Sequence, residues 1–236
     1  LVIGDEAHLY KARSLTKILK NLENTPYRIG TTGTLDGVEV HKLILEGLFG
    51  TIKKITTTKE LIKNKTISSI DINCLILKYN KKERAIVSKM NYQEEIDFIV
   101  GHSERNKYIC NLVNSLSGNT LVLFQLIEKH GNILHSILEE IVDSSRKIFF
   151  VYGGTDADSR EKVRELVEKE KDAIICASYG VYSTGINIRN IHNIVFASPS
   201  KSRIRNLQSI GRGLRKSETK DSARLYDISD DLTHND

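Results

Sequence analysis

The chain has 236 residues, enough for one large domain or two modest ones with separate cores. Its hydrophobic fraction is 39%, and no apolar run reaches the roughly 20 residues of a bilayer-crossing helix, which argues against a membrane protein. A net charge of +5 permits a polyanionic partner without requiring one, and three scattered cysteines with no C-x-x-C pair exclude a zinc ribbon or a disulfide framework. Cys74, Cys110 and Cys176 read as reduced core residues of a cytosolic protein.

The opening run Leu1-Val2-Ile3-Gly4-Asp5-Glu6-Ala7-His8 is a short apolar segment ending in two adjacent carboxylates. A buried parallel strand delivers acid groups to its carboxyl edge in this way, although a solvated helix start has the same composition. Where phosphates are bridged by Mg²⁺, one carboxylate is needed for the metal and a second can polarise water. Asp5 fits the metal role and Glu6 the second, with His8 close by. The chain begins on a strand without an initiator methionine, its one Met being Met90, and none of its fifteen glycines is followed by lysine. The phosphate-cradling pattern G-x-x-x-x-G-K-[ST] is therefore absent. The expectation is a C-terminal portion of a longer chain, with the phosphate loop upstream.

Next, Leu15, Ile18, Leu19 and Leu22 have helical spacing within 11–22, and Pro26 ends that segment before a short strand over 27–30. Thr31-Thr32-Gly33-Thr34 follows as a hydroxyl-rich turn, and Val38–Phe49 reads as a helix. Between 51 and 79, Ile70, Ile72, Cys74 and Ile76 alternate with polar residues at strand period. These are expected to be the last strands of the first domain. The charged stretch 80–84 is read as the boundary, giving domains 1–84 and 85–236.

From Tyr92 onward, short apolar strands alternate with amphipathic helices: strands at 120–124, 147–151, 173–177, 193–197 and 223–228, with Thr155 and Asp158 as a helix start and 201–215 as a helix. The fold class is α/β, with parallel sheets covered on both faces and working residues at the carboxyl ends of the strands. The segment 230–236 is expected to fray. In the helix ending at Arg215, Gln208, Arg212 and Arg215 are spaced i, i+4, i+7 and share a stripe, with Gly211 and Gly213 interleaved. Glycine costs a helix roughly 1 kcal/mol per site, so the pattern calls for a reason, although a solvated basic face at a helix C-terminus is also possible.

The strings LVIGDEAH, GTTGTL, TLVLF, VYGGTDADSRE, ASYGVYSTGIN and QSIGRGLR resemble, in order, motifs II to VI of superfamily 2 helicases. YQEEIDFIVGHSERNKYI and GRGLRK look most like the UvsW type of phage recombination and repair helicase. The resemblance implies two RecA-like parallel-sheet domains clamping ATP, the first incomplete here because its N-terminal part with the phosphate loop is missing. It implies that Asp5 binds Mg²⁺, that Glu6 activates water, and that His8 couples to Gln208 or to the Thr32–Thr34 turn. Arg212 and Arg215 would reach the γ-phosphate, and Gly185 and Asn187 would lie near the nucleotide. Thr32, Thr34, Phe124, Gln125, Gly153, Gly154 and Ser178 would serve nucleic acid. Ser178 stands where threonine is usual and Asn187 where aspartate often is.

The activity so implied is an ATP-dependent DNA helicase or branch-migrating translocase (a hydrolase of repair or recombination), acting in a bacterial or phage-infected cytoplasm. Its partner would be branched or duplex DNA bound without sequence preference, or an RNA–DNA hybrid, and a monomer would suffice. A duplex-DNA translocase subunit of a restriction or repair system, or a nucleic-acid-binding module without ATPase activity, are the other readings. The chain by itself is expected to show no appreciable ATPase.

Overall fold

The computed structural model describes residues 1–11, 13–22, 24–35, 37–184, 188–216 and 220–232. Two parallel sheets organise them.

The smaller sheet pairs β1 (Val2–Gly4) with β2 (Arg28–Gly30), and its register sets Gly4 opposite Gly30. A 3₁₀ turn over Ala7–Lys11 and helix α1 (Arg13–Lys20) connect the two strands, and α2 (Glu39–Phe49) packs back on them. Both glycines are there for space. A Cβ on either would come within 2.9 Å of the Phe49 ring, which also meets the Tyr10 ring edge-on with centroids 5.3 Å apart. The aromatic pair thus sits on the strand ends and fixes where Asp5 emerges. Ile3 and Ile29 of this sheet remain exposed.

After α3 (Thr58–Lys63) comes β3 (Ser69–Lys78). The expectation that this stretch closes the first domain is overturned. β3 is the edge strand of the larger sheet, paired in parallel with β8 (Ser222–Asp231) from Ser69↔Ser222 to Lys78↔Asp231. Strand period announces a strand, but which sheet it joins is decided by a partner some 150 residues away, and no local signal carries that. As an edge strand β3 leaves Ile72, Cys74 and Ile76 exposed, so Cys74 is a surface thiol where a core residue was expected. Cys110 and Cys176 are buried, and desolvation pushes the thiol of Cys110 up to about 12 and that of Cys176 up as well.

The charged stretch 80–84, expected as the domain boundary, starts a helix. Asn80 accepts from the N–H groups of Lys82 and Glu83, while Glu83 accepts from that of Asn80, a capping box that opens α4 (Lys81–Val87). α5 (Tyr92–Gly101) and α6 (Ser103–Ser115) follow. The alternation then runs β4 (Thr120–Phe124), α7 (Asn132–Ile141), β5 (Ile148–Val151), α8 (Ala157–Lys169), β6 (Ile174–Ser178), α9 (Tyr179–Thr184), β7 (Asn193–Phe196), α10 (Arg203–Gly213) and β8. The cap of α8 is Asp156, which accepts from the Ser159 N–H, whereas the Thr155 hydroxyl accepts from the Tyr152 N–H.

The strand order is β3-β8-β7-β4-β6-β5, parallel throughout. Side-chain alternation splits the core between the two faces. Leu121 and Leu123 of β4 pack with Val167, Tyr179, Tyr182 and Ile194 under α8, α9 and α10. Val122 and Phe124 pack with Ile109, Val113, Leu134 and Leu138 of α6 and α7. Expected fraying from residue 230 is overturned for 230–232: Asp230 and Asp231 end β8, and Leu232 is buried. Residues 233–236 lie outside the described residues.

Candidate active site and nucleic-acid edge

Parallel pairing of β1 and β2 brings Thr31 beside Asp5 at the strand ends. The Thr31 N–H donates to Gly4 O, and its hydroxyl donates to Asp5 Oδ1 at 3.0 Å. The Glu6 N–H donates to the same oxygen at 2.8 Å. Asp5 is therefore an exposed carboxylate of fixed orientation. Glu6 follows with φ of 47°, a left-handed conformation that costs a non-glycine residue on the order of 1–3 kcal/mol and concentrates at functional sites.

His8 is buried, its Nδ1 2.9 Å from Thr32 Oγ1 and 3.2 Å from Glu6 Oε2. Thr32 donates its own hydroxyl proton to Thr34 O at 2.9 Å. Its oxygen is left to accept, so Nδ1 carries the proton and is shared with Glu6. Of the two partners expected for His8, this structure brings the Thr32 turn to it. Thr31 was not among the expected residues. The signal that would have found it is register: a residue directly after a strand paired with LVIG must lie beside Asp5.

The arginine side is built by α10, which ends at Gly213. The expected stripe holds for Gln208 and Arg212; Arg215 comes one turn further, past the helix end, with its N–H donating to Arg212 O. At the helix end the buried Lys220 ammonium donates to Gly213 O, as well as to Arg189 O at 3.2 Å. Gly213 is a packing residue, since its Cβ would meet Ile194 Cδ1 of β7 at 2.2 Å; around Gly211 there is open space. Arg212 is half-buried. Burial, first, holds its guanidinium below the usual range; Tyr182 acts against this, Arg215 adds to it, and the charge of Glu6 again acts against it. The head of the chain and α10 are therefore within electrostatic reach. Sequence reasoning missed Tyr182. Its ring is fully buried, its hydroxyl has no hydrogen-bond partner among the described residues, and both arginines act on it. A buried tyrosine hydroxyl without a partner is unusual.

The expected nucleic-acid residues of the larger sheet lie along one carboxyl edge. Phe124 ends β4 opposite Ser178 of β6, and Gly153-Gly154 follow β5. Gln125, Gly153 and Gly154 are exposed and Ser178 is buried. Phe124 is a correction: its ring is fully buried and stacked on Phe150, with centroids 5.3 Å apart, so its side chain belongs to the core. Thr32 and Thr34 lie apart from this edge, in the turn beside the acidic pair. Gly185 and Asn187 lie outside the described residues.

Beneath this edge runs a directional hydrogen-bond chain. The Gln125 N–H donates to Ser198 Oγ at 3.0 Å, and Ser198 Oγ lies 2.7 Å from His130 Nδ1. His130 Nε2 lies 3.2 Å from Asn106 Oδ1, and Asn106 Nδ2 donates to Val100 O at 2.8 Å. Asn106 uses its amide as donor, so its oxygen accepts from Nε2–H and His130 Nδ1 accepts from Ser198. The imidazole is neutral; burial, aided by Arg105, lowers its pKa to about 3.

Among the described residues no helix is long and apolar enough to cross a membrane. Residues 104–217 match the helicase conserved C-terminal domain. The chain is 35% identical over 233 residues to the ATP-dependent DNA helicase uvsW of Enterobacteria phage T4, covering 98% of this chain and 46% of that protein. It is 24% identical over 242 residues to putative helicase 22 of Sulfolobus islandicus filamentous virus, covering 97% of this chain and 42% of that one. The crystal structure of T4 UvsW aligns with a TM-score of 0.60 at 34% identity, over 98% of this chain and 44% of that chain. The chain spans less than half the length of these relatives. Residues 104–217 carry the helicase conserved C-terminal domain, and the chain over nearly its whole length is similar to T4 UvsW, a superfamily 2 helicase.

Proposed function

We propose that this chain supplies one acidic wall and the arginine wall of an ATP site in a DNA helicase or branch-migrating translocase of repair or recombination, working in a bacterial or phage-infected cytoplasm. The observation that carries this reading is the Asp5 carboxylate held at the end of β1 by the Thr31 hydroxyl and the Glu6 N–H, with the charge of Glu6 felt at Arg212 in support. The resident groups would be ATP and Mg²⁺. The donor set fits them: an exposed carboxylate of fixed orientation at Asp5, a second acid at Glu6, and a half-buried guanidinium with a neighbouring arginine. Bound there, Mg²⁺ supplies charge neutralisation at the phosphates. Asp5 would hold the metal, Glu6 would take the proton of the attacking water, and Arg212 and Arg215 would hold the terminal phosphate. Because the two walls stand on different sheets, closing them around a nucleotide would move one sheet against the other.

The first RecA-like unit would comprise the small sheet and the second the six-stranded sheet. The pairing of β3 with β8 supports a division before Ser69. The exposed Ile3 and Ile29 fit a unit that continues outside this chain, because two strands rarely stand alone. DNA would run along the carboxyl edge at Gln125, Gly153, Gly154 and Ser178, contacted through its backbone and therefore bound without sequence preference. The relative named as a DNA helicase supports DNA over RNA. The test is steady-state ATP hydrolysis, with and without DNA, by the longest polypeptide that the reading frame encodes. DNA-stimulated hydrolysis that disappears in Glu6→Gln supports the proposal; hydrolysis unaffected by that change removes it.

A further inference from the structure

A cleft of about 330 Å³ opens at the carboxyl edge between β4 and the loop that follows β7. Tyr92, Ile96, Gln125, Ser198, Ser200 and Lys201 line it, and among the described residues no carboxylate does. Tyr92, the first residue of α5, is half exposed, and the Lys201 ammonium lies 5.0 Å from its ring centroid. Ser200 Oγ is buried without a hydrogen-bond partner among the described residues. The floor is hydrogen-bonded, for Gln125, Ser198 and Val100 all belong to the chain through His130.

We propose that this cleft is a nucleotide subsite on the DNA path, with Tyr92 as a stacking platform for one unpaired base and Lys201 as the contact to that nucleotide's phosphate. The inference rests on the nucleic-acid reading of the same sheet edge and adds residues to it. An aromatic face flanked by an ammonium, hydroxyls and an amide suits a nucleotide, which presents a flat apolar base and an anion a few ångströms apart. In the free protein the ammonium and the ring satisfy each other. A base settling on the ring takes the place of the ammonium, which passes to the phosphate the base brings with it, so the cation keeps an anionic or π partner in both states. The buried Ser200 hydroxyl gains an acceptor on the sugar–phosphate in the same movement. Duplex DNA keeps its bases in the stack and cannot offer one to Tyr92, so the subsite selects an unpaired strand.

The chain contains no tryptophan, so Tyr92→Trp introduces a single indole at the platform. Oligothymidylate should quench its emission in step with the rise in anisotropy of a labelled strand. A strand of equal length made of abasic sites should bind through its phosphates with little quenching. Tyr92→Ala should weaken oligothymidylate about tenfold and the abasic strand hardly at all. Lys201→Ala should lower the slope of log affinity against log salt by about 0.7, one single-strand phosphate. Both changes are at exposed positions. If anisotropy reports binding while indole emission stays constant and Tyr92→Ala binds like the parent, the subsite is refuted and the DNA reading stands. If free thymidine monophosphate quenches as well as the oligonucleotide at equal nucleotide concentration, the occupant is a free nucleotide and the proposal fails. If the parent chain binds no strand at any salt, the DNA reading itself falls and takes the subsite with it.

Discussion

His8 Nδ1 lies 2.9 Å from Thr32 Oγ1, joining the acidic strand end to the turn after the neighbouring strand. The same nitrogen is 3.2 Å from Glu6, so one buried ring touches both a proposed catalytic acid and a turn. Thr32→Val keeps the shape and removes the hydroxyl. Basal ATP hydrolysis by the longest encoded polypeptide should stay within a few-fold, while its stimulation by DNA falls about tenfold, the size of an ordinary coupling free energy. Stimulation ratios measured across a DNA titration check this. An unchanged ratio would take Thr32 out of the coupling.

The arginine wall makes a separate prediction. Arg215→Ala should reduce DNA-stimulated hydrolysis by about 10³-fold or more, as loss of an arginine at a terminal phosphate does, with DNA affinity within a few-fold of the parent. The converse outcome, normal hydrolysis with a large loss of DNA affinity, would move the end of α10 from the nucleotide to the strand.

These residues differ in how far the sequence disclosed them. Asp5, Glu6, Arg212 and Arg215 stood out in the sequence because adjacent carboxylates after an apolar run, and a glutamine and two arginines spaced four and three apart, are local patterns with a geometric meaning. The alternation of strands and helices after Tyr92 was legible for the same reason. Thr31, Tyr182 and the place of β3 were not. Thr31 reaches Asp5 through strand register, Tyr182 through the docking of α9 under the sheet, and β3 through pairing with β8. Each depends on a partner remote in sequence. Phe124 shows the opposite failure: a motif position was read as a contact surface, but at the end of a central strand its side chain points into the face covered by α6 and α7.

A buried ion pair should dominate the stability of the larger sheet. Arg105 Nε and Nη2 donate to the two carboxylate oxygens of Asp230 at 2.8 and 3.0 Å, and Tyr79 donates to Asp230 Oδ1 at 2.6 Å. The two charged side chains are almost fully buried, and the three residues tie α6 to β8 and to the end of edge strand β3. Asp230→Ala leaves a guanidinium in the interior without its counter-charge and should cost about 3–5 kcal/mol. Tyr79→Phe removes one hydrogen bond and should cost about 1 kcal/mol. Urea unfolding followed by circular dichroism measures both. Equal losses would mean that the ion pair is no stronger than the hydroxyl contact.

His130 gives the protein an acid sensitivity whose sign follows from its setting. Folded, its pKa is held down to about 3 by burial and by Arg105; unfolded, it returns to about 6.5. Above pH 6.5 neither state carries the proton, and below pH 3 both do. Between those limits the unfolded state binds a proton that the folded state refuses, so stability falls as pH falls, by at most about 1.4 kcal/mol per pH unit from this group. The hydrogen-bond chain opposes protonation further, because Nδ1 is engaged as an acceptor from Ser198. His130→Gln can keep a polar contact to Ser198 or Asn106 and has no proton to take up. Urea midpoints compared at pH 7 and pH 4.5 should therefore drop less for the variant than for the parent, even if the variant starts lower. Parallel lines for the two proteins would mean that His130 accepts its proton in the fold and that the chain beneath the DNA edge reorganises to allow it.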